Sequence, residues 1–320
     1  MDRRDKIRIL IIEKVDASFH RPFPTHQFEV DHRYGLKPDQ VKAILPGYDA
    51  LIVRSGYRVN HELLEFADNL KLVGRLGSGM ENIDQEYCIR RSIACINSPE
   101  GNRDAVAEHT LGLILGFSKK IVSADRQVHL HQWDRSKNRG FELSGKTIGI
   151  IGFGNTGGAF AQLLQGFNIK VLAYDKYKTG FGTPRIVESS LEQIYQEADI
   201  LSLHIPYNEE THNWFSMPRM EKFRKPILLI NTSRGSIVHT KDLITGLEKG
   251  LVLGAGLDVL EYEESNFQSL SLFDDTTFKK LLSFDEVIVT PHIAGLTTES
   301  NIKLAEILAN KVFSFFKVYF

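Results

Sequence analysis

Arg234 lies in NTSRGSIV (231–238), Glu261, Glu263 and Glu264 close the stretch AGLDVLEYEE (255–264), and His292 lies in TPHIAG (290–295). These residue types suit one kind of chemistry. A neutral imidazole can take a hydroxyl proton near pH 7 while hydride leaves the same carbon. A carboxylate beside the ring stabilises the cation that results. A guanidinium can polarise a carbonyl and hold a neighbouring carboxylate through its planar fork. Oxidation of a 2-hydroxy acid, or reduction of a 2-keto acid, needs these three groups together. Singly each means little: a lone arginine is usually a surface charge, a lone histidine usually structural, an acidic run usually a solvated loop. Their placement changes the weighting. Arg234 follows an apolar run that ends at Asn231, Asp258 ends another, and His292 follows a third that ends near Thr290. Open α/β sheets bind ligands outside the carboxyl ends of their strands.

The stretch that must bring these strand ends to a ligand runs from Lys146 to Asp175. Thr147 to Ile151 reads as a buried parallel strand, and Gly152, Gly154 and Gly157 follow with G-x-G-x-x-G spacing. Phe160, Leu163, Leu164 and Phe167 give the next segment a helical period, and Lys170 to Tyr174 reads as a second strand. This order is a dinucleotide grip. Gly152 allows the tight turn, Gly154 leaves no Cβ in front of a pyrophosphate, and Gly157 lets helix and strand pack closely. Phosphates then meet the N–H groups and positive dipole end of the helix. Asp175, eighteen residues after Gly157, is placed to accept from the adenosine ribose hydroxyls. A carboxylate there repels a 2′-phosphate, so NAD is favoured over NADP, although Lys176 and Lys178 temper that preference.

Around this unit the chain alternates strand and helix. Strands are expected at 6–13, 27–31, 50–54, 71–75 and 93–97, and again at 199–204, 227–231, 253–258 and 286–290. Helices are expected at 60–67, 84–91, 189–197, 218–223, 240–249 and 297–317. Alternation of this kind predicts parallel sheets covered by helices on both faces. One long helix is expected from Arg103 to about Gln127, apolar over so much of its surface that a partner subunit should cover part of it. That predicts a homodimer. The final helix should cross back to the first αβ region, which makes the first domain discontinuous.

Three hundred and twenty residues exceed one ordinary core, so two domains are expected. With 42% hydrophobic and 25% charged residues and a net charge of −1, the composition is that of a soluble globular protein with no general attraction to nucleic acid or anionic membrane. Cys88 and Cys95 form no disulfide framework and have no metal-ligand company, so no metal is expected. No apolar run is long enough to span a bilayer, and the N-terminus lacks a cleavage signal, which points to the cytoplasm.

At these residues the chain resembles the D-isomer-specific 2-hydroxyacid dehydrogenase family. The likeness covers nearly its whole length and is carried by LKLVGRLGSGMENID (70–84), INSPEGNRDAVAEHT (96–110), ELSGKTIGIIGFGNTG (142–157), LHIP (203–206), NTSRGSIV, AGLDVLEYEE and TPHIAG. The resemblance implies two doubly wound parallel-sheet α/β domains. One is a Rossmann-type NAD-binding domain over 103–295, and the other a flavodoxin-like substrate-binding domain from 1–102 and 296–320. It also implies a dimer and NAD-linked interconversion of D-2-hydroxy and 2-keto acids. By the same resemblance Arg234 orients the substrate, His292 is the acid–base group and Glu263 its carboxylate partner, although Glu261 stands close and Glu264 replaces the usual proline. Asp258 matches the nicotinamide carboxamide contact, and Asn155, Thr156 and Asp175 match pyrophosphate and ribose contacts. Ser78, His204, Ile205, Pro206, Thr232, His292 and Gly295 fall at further cofactor positions, while the backbone of Ser78 and Gly79 matches a cradle for the substrate carboxylate. His239 replaces a usual aspartate.

VRSGYRV (53–59) and VGRLGSG (73–79) resemble the phosphoglycerate dehydrogenase branch, in which Arg54, Ser55 and Arg75 would hold a substrate phosphate; salt bridges across the cleft are the alternative. The expected activity is oxidation of 3-phosphoglycerate toward serine, without the C-terminal regulatory domain of some members. Glyoxylate/hydroxypyruvate reductase and D-lactate dehydrogenase are the alternatives within the class. A non-enzymatic, NAD-sensing corepressor is the alternative outside it. The formate dehydrogenase branch lacks the glutamate and is disfavoured.

Overall fold

In the computed structural model, residues 6–263 and 275–319 are described. The first αβ region comprises β1 (Ile7–Ile11), β2 (Phe28–His32), α1 (Pro38–Ile44), β3 (Ala50–Val53), α2 (His61–Leu64), β4 (Leu72–Arg75), α3 (Gln85–Arg90) and β5 (Ala94–Asn97). Then come α4 (Arg103–Ser118), α5 (Ile121–His129), β6 (Thr147–Ile151), α6 (Asn155–Leu163), β7 (Lys170–Tyr174), β8 (Ile186–Glu188), α7 (Leu191–Glu197) and β9 (Ile200–Leu203). The chain continues through α8 (Met217–Met220), β10 (Ile227–Asn231), α9 (Thr240–Glu248), β11 (Val252–Leu257), α10 (Thr276–Leu282), β12 (Val287–Val289) and α11 (Thr298–Phe316).

The chain divides into two compact units, one built from the residues up to 102 together with those from 296 onward, the other from 103 to 295 in its described parts. In the first, five parallel strands run in the order β2-β1-β3-β4-β5. Leu51, Ile52, Val53, Leu72 and Val73 are fully buried, because helices cover both faces and both side-chain rows of a strand meet apolar neighbours. Val41, Leu45, Leu63, Leu64 and Cys88 fill one core of this unit. The other holds Leu304, Leu308, Val312 and Phe316 of α11, with Phe19 and Phe23. The segment around Phe19 thus seats a buried ring beside the last helix.

The second unit is a seven-stranded parallel sheet in the order β12-β11-β10-β9-β6-β7-β8. The chain reverses direction across the sheet between β6 and β9, which pair side by side, and a crevice at such a point is where these sheets take ligands. Both sheets are parallel with helices between the strands, the doubly wound α/β class expected.

Some local expectations fail for physical reasons. The stretch from Arg103 is two helices, because Lys120 adopts a left-handed φ of +56° and breaks the hydrogen-bond ladder. Much of α4 is covered by its own unit, where Leu113, Ile114 and Phe117 join the core. The apolar surface left exposed belongs to α5 and the few residues after it: Ile121, Val122, Val128, Leu130 and Trp133. Leu163, the last residue of α6, and Phe167, just past the 3-10 turn at Leu164–Gly166, are also exposed. The short helices α1 and α10 and the edge strand β8 had no expectation.

Candidate active site

At the end of β6 the backbone turns through Gly152 at φ +93°, and a Cβ there would lie 2.4 Å from the His204 carbonyl oxygen. A Cβ on Gly157 would lie 2.0 Å from the Gly152 oxygen, so α6 can start this close to its strand only without one. Gly154 differs: a Cβ there would meet nothing within 4 Å. Its open side borders a cavity of about 560 Å³ lined by Asn155, Gly158 and Gln162 of α6 and by Arg103 and Glu108 of α4. An anion can reach the first N–H groups of α6 here. Asp175 is fixed by three backbone donors, with Phe153 N at 2.7 Å on Oδ2 and Tyr177 N at 2.9 Å and Lys178 N at 3.0 Å on Oδ1. A carboxylate offers about four acceptor positions, so this geometry leaves room for a ribose hydroxyl. Lys176 pairs with Glu210, and the Lys178 ammonium donates to the Phe153 carbonyl at 3.3 Å. These residues fit a dinucleotide with an unmodified ribose.

His204 is placed under this turn. Its ring is 7% exposed, with Nε2 2.8 Å from Ser202 Oγ and Nδ1 3.3 Å from Thr156 Oγ1. Burial pushes its pKa down to about 3, so the ring is neutral and supports Thr156 without charge. Ile205 and Pro206 follow β9 at the same sheet edge, half-buried and exposed respectively.

Three loops at the ends of β10, β11 and β12 carry Arg234, Glu263 and His292. Asn231, fully buried, shapes the first: its Nδ2 donates to the Arg234 carbonyl at 2.8 Å, and its Oδ1 accepts from Ser233 N and Oγ. The Arg234 guanidinium bonds the Ser233 carbonyl at 2.7 Å. Thr232 turns inward, its hydroxyl 2.9 Å from that of Thr110 on α4. A Cβ on Gly235 would stand 1.9 Å from the Leu260 carbonyl, so the arginine loop lies directly on the loop that bears the acids. There the two glutamates separate. Glu261 accepts from Thr240 N at 3.0 Å and caps α9, whereas Glu263 Oε2 lies 2.6 Å from His292 Nδ1. The other oxygen of Glu263 accepts from Leu260 N. Glu264 lies outside the described residues. His292 has φ +54°, rare for a residue with a Cβ, and its N–H bonds the Asp258 carbonyl at 2.8 Å. Asp258 is 1% exposed and accepts from Thr290 Oγ1 at 2.6 Å, Ile293 N at 2.9 Å and Ala294 N at 2.8 Å. Gly295 ends this loop, half-buried. His239 pairs with Asp242 at 3.1 Å at the start of α9, well within a helix-end role.

In the first unit Arg54 follows β3. Its N–H bonds Glu13 Oε2 at 2.5 Å, and its guanidinium donates to Asn301 Oδ1 at 3.0 Å and the Lys14 carbonyl at 3.3 Å. Ser55 beside it is half-buried. Arg75 ends β4 and is only 6% exposed; it lies so close over Gly77, at φ +139°, that a Cβ there would sit 1.9 Å from its Nη1. Ser78 donates to Asn102 Oδ1 at 2.8 Å, its carbonyl accepts from Asn97 Nδ2 at 2.6 Å, and Gly79 follows half-buried. Sequence reasoning missed Asn231, Arg103 and Glu108. Asn231 carried the signal of a polar residue closing an otherwise apolar strand.

Residues 111–294 match the family model "D-isomer specific 2-hydroxyacid dehydrogenase, NAD binding domain". The chain is 31% identical over 308 residues to a D-3-phosphoglycerate dehydrogenase of Archaeoglobus fulgidus, a match that covers 96% of this chain and 56% of that one. It is 34% identical over 278 residues to a hydroxypyruvate reductase of Thermotoga maritima, covering 87% and 88%. Among solved structures, a D-lactate dehydrogenase of Aquifex aeolicus complexed with NAD and lactic acid superposes with a TM-score of 0.81 at 28% identity, covering 97% and 96%. The family model and these relatives define a class, that of NAD-dependent oxidoreductases. Within it, the chain belongs to the D-isomer-specific 2-hydroxyacid dehydrogenase family, and NAD is the cofactor of its second unit. It spans little more than half the length of the phosphoglycerate dehydrogenase it matches.

Proposed function

We propose that the protein interconverts a D-2-hydroxy acid and its 2-keto acid, with 3-phosphoglycerate as the hydroxy acid. The observation that carries the reading is the 2.6 Å contact between His292 Nδ1 and Glu263 Oε2, with the loop that bears Glu263 packed directly on the one presenting Arg234. When bound, NAD supplies the hydride acceptor. The chain's own groups do the rest. With Nδ1–H donated to the Glu263 carboxylate, Nε2 is the nitrogen that takes the hydroxyl proton, and Glu263 stabilises the imidazolium. Arg234 holds the substrate carboxylate and polarises the carbonyl oxygen. Gly154, Asn155 and Thr156 hold the pyrophosphate, Asp175 the ribose, Ser78 and Gly79 the acid.

A second substrate reading, hydroxypyruvate or glyoxylate, is favoured by a specific observation. Arg54 already bonds Asn301 and the Lys14 carbonyl, and Arg75 is 6% exposed, so neither guanidinium is set out for a phosphate. Steady-state rates with 3-phosphohydroxypyruvate, hydroxypyruvate, glyoxylate and pyruvate, followed at the NADH absorbance, separate the two. Turnover of the phosphorylated keto acid no better than of pyruvate removes the first.

The exposed apolar side chains of α5 and Trp133 support a homodimer through the second unit, which light scattering of the eluting protein tests. This reading places the enzyme in the cytoplasm, where free thiols such as Cys88 and Cys95 stay reduced. Its oxidation of 3-phosphoglycerate would open serine synthesis.

A further inference from the structure

We infer that His109, a residue of α4 with no place in the chemistry above, is a positioning residue that holds His292 in its working conformation. The inference rests on the reading of His292 as the acid–base group and extends it to a second histidine.

The starting point is a register match between a helix and a strand. Along β11, Gly254 and Gly256 lack side chains on the face that meets α4. A Cβ on Gly254 would lie 2.1 Å from the Phe117 ring, and one on Gly256 would lie 3.0 Å from Leu113 Cβ. Two residues of strand advance about 6.6 Å and four residues of helix about 6 Å, so the two elements run past each other nearly in step. Phe117 meets position 254 and Leu113 meets position 256, in opposite chain directions. One further step sets His109 against residue 258. It is there: His109 Nε2 lies 3.5 Å from Asp258 Oδ1 and 3.0 Å from Thr290 Oγ1.

The hydrogen bonds then fix their own direction. Thr290 has one hydroxyl proton and donates it to Asp258 Oδ1 at 2.6 Å. Its oxygen can therefore only accept from His109, so the ring carries its proton on Nε2. The chain reads His109 Nε2–H to Thr290 Oγ1, Thr290 O–H to Asp258 Oδ1. The same carboxylate receives Ile293 N at 2.9 Å and Ala294 N at 2.8 Å, while the Asp258 carbonyl receives His292 N. These three amides follow one another along the turn that holds His292 at φ +54°. A left-handed backbone costs a residue with a Cβ roughly 1–2 kcal/mol, so it persists only where its surroundings over-determine it. Asp258 is the clamp. Thr290 and His109 in turn fix the clamp to a helix whose same face, through Leu113 and Phe117, is packed into the core. His109 touches neither of the reacting groups, and it acts through Asp258 on the backbone from which the His292 ring reaches Glu263.

The test compares His109→Leu, which removes the donor, with His109→Gln, whose amide N–H can stand where Nε2–H stood. In the Leu variant kcat, normalised to folded protein, should fall about tenfold, with a smaller change in KM for NAD, because misplacing a reacting group slows chemistry more than it weakens binding held mostly by the glycine turn and Asp175. The Gln variant should recover most of the loss. Hydrogen exchange of residues 287–296 should speed up in the Leu variant and not in the Gln variant, a readout that needs no substrate. Thr290→Val breaks the same chain one link on, and should lower kcat as much as His109→Leu with little further loss in the double variant; it carries the test should His109→Leu fail to fold. Unchanged kcat and exchange in both disrupted variants, or a Gln variant as impaired as the Leu one, would overturn the inference. If wild type turns over no 2-keto acid but the exchange pattern holds, the assignment of His292 fails while the clamp stands.

Discussion

His292 Nδ1 lies 2.6 Å from Glu263 Oε2, although the two residues sit on different loops 29 positions apart. Glu263 is held in turn by the Leu260 amide, and His292 by the Asp258 carbonyl, so both ends of the contact are fixed to the end of β11. Chemistry that needs an imidazole to change charge thus has its compensating carboxylate already placed.

Glu263→Gln keeps a hydrogen-bond acceptor at His292 and removes the charge. Reduction of a 2-keto acid draws its proton from the imidazolium, so it should lose more than oxidation does. We expect kcat to fall at least about tenfold in reduction, by the usual contribution of acid–base partners, with KM for NADH little changed. Rates measured in both directions check this; equal losses would contradict it.

Gly154 and Gly157 should separate cofactor binding from folding. A Cβ on Gly154 meets open space, so Gly154→Ala should leave the melting temperature unchanged while NAD affinity drops. A Cβ on Gly157 would lie 2.0 Å from a backbone oxygen, so Gly157→Ala forces α6 off its strand and should cost about 1–3 kcal/mol of stability as well. Thermal melts and NAD titrations on both variants distinguish the two effects.

Asp175 accepts three backbone N–H groups, and the proposed function gives it the ribose. Asp175→Asn weakens those bonds and removes the charge that repels a 2′-phosphate. Hydrogen bonds to a charged group contribute about 1.5–3 kcal/mol, so KM for NAD should rise roughly 10- to 100-fold while activity with NADP increases. Steady-state titration with each cofactor provides the check.

His204 has a pH signature. Its folded-state pKa is pushed down to about 3 from 6.5, so below pH 6.5 the unfolded chain binds a proton that the folded ring refuses. The ring's contribution to stability is complete above pH 6.5 and falls by about 1.4 kcal/mol per pH unit as pH drops toward 3. Denaturant melts of wild type and His204→Gln between pH 4 and 7 should show a shallower acid loss in the variant.

Much of this was legible because the strands are buried on both faces and so read as unbroken apolar runs, from ALIV at β3 to ILLIN at β10. The glycine turn showed because Gly152 and Gly157 answer steric demands while Gly154 keeps the approach to the helix start open. What stayed hidden has two causes. Short elements carry too few residues for a period, as with the three residues of β8. Long-range side-chain contacts leave no local pattern: His109 and Thr290 are 181 positions apart, and nothing near Glu261 says that it caps α9 while Glu263 meets the histidine. Lys120 at φ +56° is a third case, since lysine gives no warning of a left-handed break.

The most direct test monitors NADH absorbance with the panel of 2-keto acids for wild type and His292→Ala, beside NAD affinity by calorimetry. We expect turnover of at least one keto acid by the wild type, a loss of about 10²-fold or more in the variant, and NAD affinity within a few-fold for both. Wild-type-like turnover by His292→Ala would contradict the assignment of the acid–base group and, with it, the mechanism built on Arg234, Glu263 and His292.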